Sequence, residues 1–114
     1  MTVDAALFDE LRQRFLERID ADRLRFATLL AWPVNEPRRR SARMLAHRIA
    51  GGGGTLGLER ISLVAAGLER ALGAGIDHRP ALRDLHEAID LALVGEANRE
   101  ALRTGGSGDP ATVD

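Results

Sequence analysis

The sequence predicts an all-α protein, an antiparallel four-helix bundle, and three observations lead there. Apolar residues recur at helical spacing over four separate segments. The segments are joined by short stretches rich in Gly, Pro, Asn and Asp, residues that start and stop helices. No alternating run of strand length competes with them. Aromatic residues make up only 4% of the chain. A core of Leu, Ile, Val and Ala follows, and it suits packed helices better than sheets.

The first helical segment runs from about Asp4 to Ala31, with Phe8, Leu11, Phe15, Ile19, Phe26 and Leu29 on one stripe. Asp22 stands in that stripe where an apolar residue belongs. The segment is therefore one helix, or two with Asp20 or Asp22 capping the second. Trp32-Pro33-Val34-Asn35-Glu36-Pro37 breaks the pattern, and Pro37 suits the first turn of a second helix, where its missing N–H is not needed. That helix is expected from Pro37 towards Leu56, with Ala42, Leu45, Ile49 and Leu56 inward and Gly52 on the same side. A third begins near Gly57-Leu58, carries Leu58, Ile61, Ala65, Leu68 and Leu72, and stops at Gly73-Ala74-Gly75. Asp77 or His78 caps the fourth, with Pro80 near its first turn. Leu82, Leu85, Ile89, Ala92 and Leu93 line its inward face to about Arg103. Residues 1–103 then form one domain, and residues 104–114, with turn and linker composition, a flexible tail. Short connections between four amphipathic helices favour the antiparallel bundle.

A chain of 114 residues builds one core. Cysteine is absent, which excludes disulfides and thiolate metal sites and agrees with a reducing compartment. Sixteen arginines stand against 17 acidic residues, with no lysine, for a net charge of −1. That balance argues against a general nucleic-acid or membrane-surface binder. Neither a secretory leader nor an apolar run of membrane-spanning length is visible, so a cytoplasmic location is expected. Heavy Ala, Arg and Gly usage suggests a GC-rich bacterial genome.

The chemistry is expected at Ala46-His47-Arg48-Ile49-Ala50-Gly51-Gly52-Gly53-Gly54. Glycine inside a helix costs about 1 kcal/mol relative to alanine, so four in a row beside a histidine suggest a bare surface that a partner can approach. At about 100° per residue, Leu45, Ile49 and Leu56 cluster on one arc and His47 points the other way. Arg40, Arg43, Ala50, Gly51 and Gly54 share the outward side with it. A free imidazole titrates near about 6.5, so it is largely neutral at pH 7, and a neutral imidazole is a competent nucleophile. As a phosphoryl carrier it needs exposure and room, while the metal and the remaining machinery can belong to the partner. Arg43, one turn before His47, is placed to offset phosphate charge. No second acid, base or nucleophile is placed beside His47 by spacing, which leaves an enzyme acting on a small molecule without support.

The stretch His47-Arg48-Ile49-Ala50-Gly51-Gly52-Gly53-Gly54-Thr55-Leu56-Gly57 resembles the signature of histidine-containing phosphotransfer (HPt) domains, H-x-[LI]-K-G-[SA]-[AG]-x-x-[LIV]-G. Downstream, Ala65-Ala66-Gly67-Leu68-Glu69 is similar to their A-x-x-L-E pattern. The resemblance implies a four-helix bundle in which His47 accepts a phosphoryl group and Gly51 keeps space beside the ring. It implies relay between receiver-domain aspartates in a bacterial multistep phosphorelay. The implied partners are response-regulator receiver domains and a hybrid histidine kinase, with Mg²⁺ on the partner and no cofactor on this chain. The likeness departs at Ala50, where such domains carry a lysine that helps hold the phosphoryl group or the partner's acidic site. Arg43 or Arg48 substitutes, the partner is specialised, or transfer is lost.

Blander readings stand beside these. The glycine run is a loop or hinge, or it stays helical. His78 and His86 lack metal-ligand spacing and read as a cap or a partly buried polar residue. Arg38-Arg39-Arg40 opens a helix without neighbouring aromatics and reads as a solvated face or a strip for an acidic protein. No Walker lysine follows Gly51 to Gly54, so a kinase is not expected, and the resemblance implies a relay intermediate instead. The competing reading is a non-catalytic module that docks a receiver domain without phosphotransfer. A monomer is expected.

Overall fold

A computed structural model of the chain describes residues 4–103. Four helices follow one another: α1 (Ala5–Leu29), α2 (Glu36–Thr55), α3 (Glu59–Ala74) and α4 (Arg79–Arg103). Among the described residues each packs on its neighbours in the order α1, α2, α3, α4 and back to α1, while the backbones of the diagonal pairs do not approach closely. The result is the antiparallel four-helix bundle expected from the sequence. The expected C-terminal tail at 104–114 lies outside the described residues.

Each helix begins and ends where local chemistry allows. Asp4 caps α1 by accepting the amide hydrogen of Ala6. The Asp22 position does not split α1: its side chain tucks beside Arg25, and the helix continues unbroken. Asn35 caps α2 through the Arg38 amide at 2.9 Å, and Pro37 occupies its first turn. Gly57 turns the chain from α2 to α3 at a φ of 76°, and Gly75 ends α3 at a φ of 72°. Both lie in the left-handed region that side chains disfavour. Before α4, the Asp77 carboxylate accepts the Arg79 amide hydrogen and two hydrogens from its guanidinium. Those bonds, the side-chain ones foremost, hold the Asp77 carboxyl down at about 2.

The inward stripes meet in one core. Phe26, Leu16, Ile19, Leu45, Ile61, Leu68, Leu72, Leu85 and Ile89 are its largest fully buried side chains, each worth roughly 1.5–3 kcal/mol in burial. Leu16 joins it although the stripe read from the sequence omits it, and Leu11 of that stripe is exposed. At the α1–α4 seam, Arg12 and Arg99 both reach the buried Glu96, at 3.4 and 3.0 Å. Farther along, Arg23 bonds Asp90 at 2.6 Å.

Glycines 51–54 remain helical, which removes the loop reading, and their surroundings differ sharply. A Cβ on Gly52 would collide with Cε1 of Phe15, so the aromatic ring of α1 rests on bare α2 backbone. A Cβ on Gly53 would press on the backbone of Leu58 and Ser62 at 3.3 Å, so α3 also needs a glycine there. Gly51 has nothing within 4 Å. Alanine carries the same helix-propensity gain at both positions, so comparing them isolates packing. Gly52→Ala is expected to be less stable than Gly51→Ala by about 1–3 kcal/mol in urea titrations, the usual cost of overpacking.

Two half-buried histidines couple the fold to pH. Burial, and secondarily the Arg23 guanidinium, lowers the pKa of His86; burial and then Arg39 lower that of His78. The unfolded chain therefore takes up these protons more readily, so stability present above about pH 6.5 is lost as pH falls below it. Melting temperatures at about pH 7.5 and 5.5 check this. The His78→Gln/His86→Gln double variant is expected to lose less than the wild type between the two.

Candidate functional site

α2 and α3 run antiparallel with a close register. Ser62 Oγ donates to the Ala50 carbonyl at 2.7 Å, and Leu58 N–H donates to the Gly53 carbonyl at 2.7 Å. Farther up the same seam, His47 meets Glu69 and Arg43 meets Gly73. From 53/58 to 50/62, and again from 47/69 to 43/73, both helices step by about one turn; between 50/62 and 47/69 α2 advances one turn and α3 two. The three-residue link at 56–58 sets that register.

His47 stands on the outer face of α2 with 73% of its side chain exposed, while Glu69 on α3 is 26% exposed. Nδ1 of the imidazole lies 3.0 Å from Oε2 of Glu69. A carboxylate only accepts hydrogen bonds, so in the neutral ring the proton belongs on Nδ1 and the lone pair on Nε2. The expectation of no acid or base beside His47 is corrected here. Glu69 comes from another helix, 22 residues on in sequence, so spacing along α2 could not reveal it. The signal was present in the Ala65-to-Glu69 pattern, but only as a family likeness.

The other residues singled out in the sequence divide around α2. Gly51 and Gly54 are exposed next to His47, and a Cβ on Gly54 would touch only Ser62 Oγ, at 3.4 Å. Arg43 is exposed one turn before His47, on the side facing Gly73 of α3. Arg40 is exposed two turns before it. Arg48 points the other way and lines the groove between α1 and α2 with Phe15, Arg18, Leu45 and Ile49. Ala50 is a correction: it is half-buried and packs against the core, not free on the outer face. The helical wheel places it beside His47, but α3 leans on that edge of α2 and covers it.

Charge is unevenly distributed over the bundle. Past Glu36, α2 carries no acidic residue. Arg40, Arg43 and Arg48 on α2, Arg18 on α1, and Arg60 and Arg70 on α3 have no carboxylate within 4.0 Å among the described residues. The arginines of the α1–α4 seam, by contrast, are paired.

The family model for the Hpt domain matches residues 10–103. The chain belongs to the Hpt domain family. That family performs histidine phosphotransfer in phosphorelays, and its members work with receiver domains and histidine kinases. No curated protein and no solved structure gives a significant match. Among the described residues no helix is long and apolar enough to cross a membrane.

The tautomer is directly measurable. In ¹⁵N-resolved NMR of the neutral imidazole, wild-type His47 is expected to carry its proton on Nδ1, and Glu69→Ala to move population towards Nε2–H. The folded fraction should hardly change, since so exposed a pair contributes about 0.2–1 kcal/mol.

Proposed function

We propose that this Hpt domain relays phosphoryl groups between receiver-domain aspartates through Nε2 of His47. The observation that carries the reading is an exposed imidazole whose Nδ1 faces the Glu69 carboxylate, which leaves the lone pair of Nε2 directed away from α3. That lone pair attacks the phosphorus of an aspartyl phosphate on the partner. The Nε2–P bond forms as the P–O bond to the partner's carboxyl breaks, and the electron pair leaves on the carboxylate. No proton moves: Nδ1 keeps its hydrogen, the phosphorylated ring is cationic, and Glu69 stands beside the new positive charge. In the return direction a second aspartate attacks phosphorus, and neutral imidazole leaves.

Access and steering come from the same face. Gly51 and Gly54 let a partner's backbone approach the ring, and the unpaired Arg40, Arg43 and Arg70 attract an acidic phosphorylation pocket. Any Mg²⁺ in the exchange belongs to the partner. Because Ala50 is half-buried and uncharged, the charge for holding phosphate must come from arginine.

Labelled receiver domains, charged with acetyl phosphate, test the proposal. Wild-type protein is expected to take up acid-labile label, and His47→Gln to take up none while keeping its melting temperature. Gly51→Trp should slow transfer strongly with little loss of stability, and subsaturating transfer should slow as salt rises. A wild type that binds receivers but accepts no label is a docking module.

A further inference from the structure

Arg43 is held by a residue that has no side chain. A Cβ at Gly73 would lie 3.1 Å from Cζ and Nε of Arg43 and 3.4 Å from its Nη2. The guanidinium thus occupies space that any side chain at position 73 would fill. The register that sets His47 against Glu69 puts this seat one turn away on both helices. Arg43 and Arg70 line one shallow hollow with Ala66, Glu69, Gly73 and Ala74. Neither guanidinium has a carboxylate within 4.0 Å among the described residues, and the carboxylate of that hollow is turned to His47.

Formal charge shows what the hollow is suited to receive. Two guanidinium groups against one carboxylate leave it one positive charge in excess. Phosphorylation of His47 adds about two negative charges and makes the ring positive. The excess is then cancelled. Of the other α2 arginines, Arg48 faces the α1 groove, and Arg38, Arg39 and Arg40 lie two turns or more off, so Arg43 is the one both adjacent to His47 and on the Glu69 side.

We propose that Arg43, seated on Gly73, receives the phosphoryl oxygens during transfer to and from His47, the role for which Ala50 has no charge. This rests on the phosphotransfer reading above. Arg43 donates N–H hydrogens to the oxygens and moves no proton; the bonds made and broken are Nε2–P and the partner's P–O. A purely structural role is also open to it, since a cation near the last turn of α3 offsets the helix dipole. The two roles separate in kinetics.

The experiment is single-turnover transfer from a phosphorylated receiver domain to wild type, Arg43→Ala, Arg43→Lys, Gly73→Ala and the Arg43→Ala/Gly73→Ala pair. Arg83→Ala, a charge removed from an exposed position on α4, serves as control, and each protein's melting temperature is recorded. Arg43→Ala is expected to slow transfer about tenfold, and Arg43→Lys to recover part of it. Gly73→Ala should slow transfer severalfold without lowering the melting temperature, because alanine suits a helix better. The double variant should be no slower than Arg43→Ala alone, as one residue acts through the other. Arg83→Ala should match the wild type. The proposal is overturned if Arg43→Ala transfers at the wild-type rate, if Arg83→Ala slows as much, or if Gly73→Ala slows transfer equally in both backgrounds. Label absent even from the wild type would sink the phosphotransfer reading and this one with it; a labelled wild type with unaltered Arg43→Ala sinks this one alone.

Discussion

The close antiparallel register of α2 and α3 is the constraint on which the rest of the molecule depends. A link of three residues, with Gly57 in the left-handed region, brings the second helix back along the first. The Gly53 backbone meets Leu58 and Ser62, and Ser62 bonds the Ala50 carbonyl. With the lower end pinned, the pairs above it are determined: Glu69 beside His47, Gly73 beside Arg43. A shift by one residue would rotate each by about 100° and dissolve the site.

The four glycines serve two physical ends. Gly52 and Gly53 face other helices, where a side chain would collide with Phe15 or with α3 backbone. Gly51 and Gly54 face outward and leave the imidazole uncrowded. Four unfavourable helix residues in one turn are therefore tolerated because two let helices close on the core and two leave the surface open. Tertiary packing outweighs propensity along this turn. It also explains why α2 stays helical to Thr55.

What the sequence reveals here follows from which contacts are local. Helix limits rest on caps and breakers a few residues away, so Asn35, Pro37 and Gly75 mark them well. The outward direction of His47 follows from the position of Leu45 and Ile49 on one helix. Glu69 and Gly73 act across the seam, and nothing in the spacing of α2 points to them. Ala50 misleads for the same reason, because a helical wheel knows nothing of the neighbouring helix. Asp22 misleads differently: a half-buried carboxylate next to Arg25 interrupts the apolar stripe without interrupting the helix.

Glu69 ties the fold to the proposed chemistry, since in that reading its hydrogen bond with Nδ1 leaves Nε2 as the nucleophile. The most direct measurement is ³¹P and ¹⁵N NMR of the chain labelled in its histidines and phosphorylated by a receiver domain. A one-bond phosphorus–nitrogen coupling to Nε2 of His47, with the Nδ1 proton retained, is the result this account requires. Phosphorus on Nδ1 of His47, or on His78 or His86, would contradict it.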